Sequence, residues 1–570
     1  MLQICSLADM GAADKFYHLR KPIGPSVWAI GKSGISIYST DGSSLIKRHD
    51  KNEICGGNDC SFREAISDGK HHVFASNALN STIDVYSIDT GAFVASLDTC
   101  GSPWSIDYHP VRDEVWVHCW GPDAEVGDTG HVDVFSASSL DTPMSQVQLH
   151  PILVGHAHGS VEVDSSLGHF GYATDLNTPF VYRMNLNTKE VEEKIEIPNV
   201  SGLYRMAYSH VNRHLFLRSY VCCSCGFDGA DIAECGRVRP RPVNVVTGPN
   251  QGTDLNGTCG HGCEGSPADT TGVFEFDTQS NEVVDTWQIS DGLGADPYVS
   301  PYGDFIALFG NNGGSTVRLL KPGKNGAPSK LWADVNVGFN AAAEPSDEKS
   351  VSDSVFIQDS KHNIAVFTST LSNYIALVDM SKTNPEVKKL KLTEAEEITS
   401  GHGKCKEDVK IEKNQFINSH SYFCHISHTG RGARRNIIWA VGTDYIWVDG
   451  ENTEEFYIIK LSADGDVNKA MVEKTLKGIG VRRLLYVENY AEETVLQKIQ
   501  DQIQIAENMA PADKTVDSVG MSGLIIGILA LVLGIANAVA SFSNRSSTQQ
   551  DKEQGKDEFV EEAASLPSLP

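Results

Sequence analysis

The chain has 570 residues, a formal charge of −27 and a pI near 5.1, with 40% hydrophobic and 21% charged residues. That much apolar content excludes a disordered chain and is enough for one large β domain or several ordinary ones. The acidic balance argues against nucleic acid as a partner, because such binding draws mostly on Lys and Arg neutralising phosphates.

The first stretch, "MLQICSLADMGAADKF", lacks the basic region and the apolar run of about 7–15 residues that make a secretory leader. Asp9, Asp14 and Lys15 interrupt it. Residues 1–25 are therefore read as a weakly structured N-terminus, with the true start of the protein expected upstream.

From residue 26 to 490, Val, Ile, Tyr, Phe and Thr recur in short alternating runs broken by Gly, Asn, Asp and Pro, which is the pattern of strands and turns. A cycle begins at Arg63 with "REAISDGKHHVFASNALNSTIDVYSIDTGAFVASLDT". It returns at "WSIDYHPVRDEVWVHCW", at "HFGYATDLNTPFVYRMNLNTKEVEEKIEI" and at "YVSPYGDFIALFGNNGGSTVRLLKPG". Two later copies are "VFIQDSKHNIAVFTSTLSNYIALVDMS" and "NIIWAVGTDYIWVDGENTEEFYIIKL". Each unit of about 40–60 residues holds four short strands, the sequence mark of a propeller blade.

Counting from Arg63 gives seven units. "SVWAIGKSGISIYS" at the front and "VRRLLYVENY" at the back are left over, and these can complete one blade from both ends of the chain, removing exposed sheet edges. The expected fold is all-β: a seven-bladed β-propeller, with eight blades as the alternative count and a two-sheet sandwich as the rival architecture.

The fourth unit carries an insertion at 221–272 with Cys222, Cys223, Cys225, Cys235, Cys259 and Cys263. Gly, Asp, Asn and Pro dominate it, so it has little apolar material for a core and needs covalent ties. A disulfide-stapled loop is the first reading, and zinc held by some of these cysteines with His261 is the second. The redox compartment decides between them.

Three Asn-x-Ser/Thr sequences, at Asn80, Asn199 and Asn256, match the glycosylation acceptor pattern beside turn signals. No nucleophile elbow, P-loop, dinucleotide fingerprint or H-E-x-x-H occurs, so no catalytic residue is assigned and no enzyme activity or cofactor is expected. The competing reading places His156 and His158 of "GHAHG" and His420 of "NSHSYFCHISH" at the starts of innermost strands. There they would converge on Zn, Cu or Fe in a metal-dependent or electron-transfer propeller. "SADGDVNK", around Asp464, is read as a turn and not as a calcium loop.

Residues 491–519 contain Val495, Ile499 and Ile503 at helical spacing, an amphipathic stalk that can dock on the chain itself or pair with a second copy. "GMSGLIIGILALVLGIANAVASF", residues 520–542, has no charged residue. About 20 such residues in a helix cross a hydrocarbon core. Arg545, Lys552 and Lys556 follow it, so the positive-inside bias puts the acidic, disordered tail 543–570 in the cytosol and the large domain outside the cell or in a lumen.

In their order, "SVWAIGKSGISIYS", "HVFASNALNSTIDVYSIDTGAFVASLDT", "RDEVWVHCWG" and "DPYVSPYGDFIALFG" resemble successive blades of the C-terminal propeller half of the larger follistatin-like proteins. The resemblance implies an extracellular glycoprotein whose propeller serves interaction and not catalysis. That family's follistatin, EF-hand and immunoglobulin modules are absent here, and the membrane span and cysteine insertion are foreign to it. The resulting expectation is a single-pass membrane protein whose propeller is a non-enzymatic receptor platform for a protein, a glycan or a metal chelate.

Overall fold

The computed structural model describes residues 23–78, 80–101, 103–119, 131–141, 143, 145–149, 159–175, 179–198, 202–220, 272–287, 295–310, 316–324, 326–338, 351–369, 373–393, 435–450, 455–477 and 480–488. These form eight antiparallel four-stranded sheets, the blades of a propeller. Blade 1 takes its innermost strand, Val481–Val487, from the end of the described chain and its outer three, Ser26–Gly31, Gly34–Ser39 and Leu45–Asp50, from the beginning. Blade 2 is Phe62–Ser67, His72–Asn77, Thr82–Ser87 and Phe93–Asp98. Blade 3 is Pro103–His109, Glu114–Cys119, His131–Ser136 and Ser145–Gln148. Blade 4 runs Gly159–Glu162, Phe170–Asp175, Phe180–Asn185 and Glu190–Glu196. Blade 5 runs Gly202–Ser209, His214–Tyr220, Val273–Asp277 and Glu282–Trp287. Ala295–Val299, Ile306–Gly310, Thr316–Lys321 and Lys330–Asn336 make blade 6. Blade 7 comprises Val351–Gln358, Asn363–Ser369, Tyr374–Asp379 and Glu386–Lys391, and blade 8 Arg435–Trp439, Tyr445–Gly450, Glu455–Lys460 and Met471–Lys477.

The blade count corrects the expectation of seven. Each of the seven units counted from Arg63 fills a blade by itself, and the blade expected from the two ends of the propeller is present as an eighth, so the alternative count of eight holds. Trp28 pairs with Leu485 and Ala29 with Leu484 across that closure. Strand pairing between the two ends of the chain closes the ring without a free inner edge.

The middle strands of a blade are covered on both faces, which is why "HVFASN", "EVWVHC" and "YIALVD" read as nearly continuous apolar runs. Alternate residues serve opposite neighbours. Val73 and Ala75 pack with Trp28 and Ile37 of blade 1, whereas Phe74 between them packs with Ile106 and Val115 of blade 3. Every adjacent pair of blades encloses a cluster of this kind. The outermost strands are covered on one face only, and "MVEKTLK" of blade 8 accordingly alternates between exposed and partly buried positions.

Because the strands alternate in direction, the ends of the second and fourth strands share one face of the disc, here termed the upper face. All the connections longer than 461–470 leave from it: 51–61, 120–130, 221–272, 337–350 and 392–434. The lower face carries no connection longer than 461–470, and several of its connections are tight turns. There the Asp68 carboxylate accepts hydrogen bonds from the amides of Lys70, His71 and His72 at 2.8, 2.8 and 2.9 Å. Asp359 caps the equivalent turn of blade 7, accepting from the amides of Lys361 and His362 at 2.7 Å each.

Among the described residues no helix is long and apolar enough to cross a membrane. The segments read as stalk (491–519), span (520–542) and tail (543–570), and most of the weakly structured N-terminus, lie outside the described residues.

Candidate functional site

The innermost strands of the blades wall a central channel, and charged residues interrupt their otherwise apolar pattern. Glu64 is the third residue of its strand in blade 2, Asp107 lies in blade 3 and Glu162 in blade 4, with Arg205 from blade 5 and Arg483 from blade 1. Together with Ser105, Ser160 and Tyr298 they line a cavity of about 200 Å³. Glu64 Oε1 lies 3.8 Å from an Arg205 guanidinium nitrogen and 3.5 Å from one of Arg483, so one carboxylate is flanked by two cations.

Among the described residues, Asp107 and Glu162 form no such ion pair. Asp107 accepts hydrogen bonds from the Val163 amide at 2.7 Å and the Tyr108 amide at 2.8 Å, which ties blade 3 to blade 4. Burial outweighs those bonds and, with repulsion from Asp164 and Glu64, pushes Asp107 up to about 7. Burial likewise raises Glu162 well above the carboxylate range, and the neighbouring charges of Asp107, Asp164 and Glu64 add to it. This wall therefore sets two carboxyl groups whose ionisation is disfavoured by burial and mutual repulsion beside two guanidinium groups that donate hydrogen bonds. Such a set suits a small polar ligand that accepts hydrogen bonds.

Gly159 opens blade 4 at the edge of this cavity. A Cβ there would stand 1.8 Å from the Thr174 carbonyl oxygen and 2.5 Å from His118 Nε2, so only glycine lets the strand start between them.

Two disulfides staple the upper face. Cys55–Cys60 closes the one-turn helix Lys51–Ile54 that links blades 1 and 2, and Cys100–Cys119 joins the start of blade 3 to the end of its second strand. The sequence marks neither pair as strongly as the denser cysteine cluster at 222–263. The available signal was spacing: Cys55 and Cys60 bracket the Gly-rich turn "GGND", and Cys119 ends a strand facing the link that holds Cys100.

Of the sequence-derived sites, Asn80 is described, and it is exposed in the turn between the second and third strands of blade 2. Asn199, Asn256, the six cysteines of the insertion, His156, His158 and His420 lie outside the described residues. The insertion leaves blade 5 after Tyr220 and returns at Val273, whose strands pair directly. Asp464 forms a turn, receiving the Ser462 hydroxyl at 2.6 Å and the Lys469 ammonium. The channel charges were missed because a charge inside a short strand does not reveal which face it occupies. Their mark in the sequence is an acid or Arg within a first strand, as in "FREAIS", "WSIDYH" and "VRRLLYV".

No protein-family model matches the chain, and no curated protein does. Similar solved structures include dihydro-heme d1 dehydrogenase NirN in complex with DHE, at 10% identity and a TM-score of 0.47 over 82% of this chain and 76% of that one. The Cps50 (Swd1) β-propeller domain of Myceliophteria thermophila is similar at 9% identity and a TM-score of 0.39, over 71% of this chain and 96% of that one. A complex of KlAtg21 with the coiled coil of AgAtg16 gives 11% and 0.41, over 72% and 96%. Likenesses this distant carry no argument about activity or ligand.

Proposed function

We propose that the chain is a membrane-anchored β-propeller that acts as a non-enzymatic binding platform, presenting its upper face to a protein or glycan ligand outside the cell or in a lumen. The observation that carries this reading is the one-sided distribution of the long connections. A rigid disc whose long connections leave from one face is an arrangement by which loops recognise a partner. Both described disulfides lie on the same face, which fits an oxidising compartment. The apolar, uncharged run 520–542 supplies the anchor, and the polar channel cavity below the same face supplies a second seat for a small polar group of the ligand.

The experiment uses the full chain expressed in cells. Protease accessibility of the propeller in intact cells or sealed vesicles, a glycosidase-sensitive mass at Asn80, and Cys55–Cys60 and Cys100–Cys119 bridges in a non-reducing peptide map are the expected results. Free thiols at all four cysteines together with an inaccessible propeller would overturn the topology. Replacing 221–272 by a short Gly-Ser link should abolish cell-surface glycan-array or cross-linking signals while leaving the disc folded, and undiminished signals would overturn the platform reading.

A further inference from the structure

Blade 3 gathers four metal-ligating side chains at its upper end. Cys100 stands in the link that enters the blade, Cys119 closes the second strand, and His131 opens the third strand with Asp133 two residues on, on the same face of the sheet. One sulfur from each cysteine, one imidazole nitrogen and one carboxylate oxygen all lie within 4.8 Å of one another. Four donors about 2.0–2.3 Å from a tetrahedral zinc ion sit closer than that to each other, so a small movement brings the four to ligand distance.

The carboxylate is already aimed. Asp133 is 1% exposed, and its Oδ2 accepts the Thr99 hydroxyl at 2.8 Å and the Cys100 amide at 3.0 Å. Its other oxygen, Oδ1, accepts no hydrogen bond and lies 3.4 Å from His131 Nε2, another member of the cluster. A buried carboxylate oxygen without a hydrogen bond is costly in a protein interior, and a cation placed among these four groups satisfies it. Thr99 and the Cys100 amide then play the part of outer partners that orient a ligating carboxylate. The other described disulfide, Cys55–Cys60, has no such company among the described residues.

We propose that these four residues form one site with two states: a Cys100–Cys119 disulfide when oxidised, and a tetrahedral zinc centre of Cys100, Cys119, His131 and Asp133 when reduced. The donor set of two thiolates, an imidazole and a carboxylate selects a borderline-soft ion such as Zn²⁺ over Ca²⁺ or Mg²⁺. Passage between the states needs a dithiol reductant. Its two thiols are oxidised to a disulfide, the Cys100–Cys119 bond breaks, and two electrons with two protons pass to the cysteine sulfurs. Zn²⁺ then binds both sulfurs as thiolates and releases those two protons to solvent. The inference does not rest on the binding-platform reading, because it concerns the state of blade 3 in whichever compartment holds a dithiol.

The test titrates Co²⁺, and then Zn²⁺ in competition, into the full chain reduced under anaerobic conditions, in a background with Cys222, Cys223, Cys225, Cys235, Cys259 and Cys263 replaced by Ser. The expected result is one tetrahedral Co²⁺ with thiolate charge-transfer absorption, displaced by Zn²⁺. It should be lost in C100S/C119S and absent from the oxidised chain. His131→Ala and Asp133→Asn should each weaken binding at least about tenfold, and Thr99→Val, which touches no metal, should weaken it by a similar order. Circular dichroism checks that each variant keeps its β fold, and Thr99→Val and Asp133→Asn serve as the mild variants if His131→Ala does not fold. The same Co²⁺ spectrum and stoichiometry in C100S/C119S, or folded His131→Ala and Asp133→Asn chains that bind as tightly as the parent, would overturn the proposal.

Discussion

His214 Nδ1 lies 2.7 Å from Glu275 Oε1, and both side chains are wholly buried between the second and third strands of blade 5. Glu275 also accepts hydrogen bonds from Asn212 Nδ2 at 3.1 Å, the Ser329 hydroxyl at 2.8 Å, the Ser329 amide at 2.9 Å and the indole N–H of Trp287 at 3.0 Å. Ser329 precedes the outermost strand of blade 6, so one buried acid stitches two blades. Removing one member of such a network strands the rest without water or partner. Glu275→Ala is expected to cost about 3–5 kcal/mol in urea unfolding, and Trp287→Phe, which loses one bond, about 1 kcal/mol. Equal and small losses for both would show that the network is not cohesive.

Asp68 gives a pH prediction of definite sign. Burial pushes its pKa up, but hydrogen bonds from the His72 side chain and from the amides of residues 70–72 outweigh burial and hold it below the ordinary value. A carboxyl whose folded pKa is depressed contributes stability that is complete above the unfolded pKa of about 4 and lost as pH falls through the folded value. Asp68→Ala should therefore destabilise the propeller at pH 7 by about 2–3 kcal/mol, since it also leaves turn amides unpaired. Thermal melts should show the gap to wild type narrowing below about pH 4. A gap independent of pH would mean that the turn uses shape and not charge.

Glu162 behaves in the opposite sense. Its folded pKa is raised by burial and by neighbouring acids, and that of Asp107 is pushed up to about 7. The folded state therefore holds more protons than the unfolded chain between about pH 4 and the raised values, and stability falls as pH rises across that window. Glu162→Gln removes the repelled carboxylate. It should be about 1 kcal/mol or more stabler than wild type at pH 8 and nearly equal to it at pH 5. Unfolding free energies at the two pH values read this directly, and identical pH slopes for the two proteins would refute a raised Glu162 pKa in the folded state.

The blades were legible because burial on both faces writes itself into composition: "VFASN" and "IAVFTS" are apolar where blades stack, and Asp-x-Lys-His turns recur in blades 2 and 7. The insertion was legible too, since a cysteine-rich segment interrupts the cycle between two pairing strands. What stayed hidden depends on three-dimensional coincidence. Glu64, Arg205 and Arg483 come from residues far apart in the chain and meet only when the ring closes. Cys100, Cys119, His131 and Asp133 meet through strand pairing, which no short motif encodes. The two end segments were legible as one shared blade, and the count of seven falls short only because that blade adds to the seven units and completes none of them.

That split blade yields the sharpest test of the architecture. Val481–Val487 is the innermost strand of blade 1, and Leu484 packs with Val27, Trp447 and Phe456 where blade 8 meets blade 1. Without it the strand Ser26–Gly31 becomes a free inner edge and the apolar seam beside blade 8 opens to water. A chain ended at residue 478 is expected to lose its sharp thermal transition and to be cut by protease within residues 26–50 before the rest of the disc. Leu484→Ala, which keeps the strand but leaves a void, should cost about 2–4 kcal/mol and preserve a single transition. If the shortened chain melted as cooperatively as the parent, ring closure would not govern the stability of this propeller.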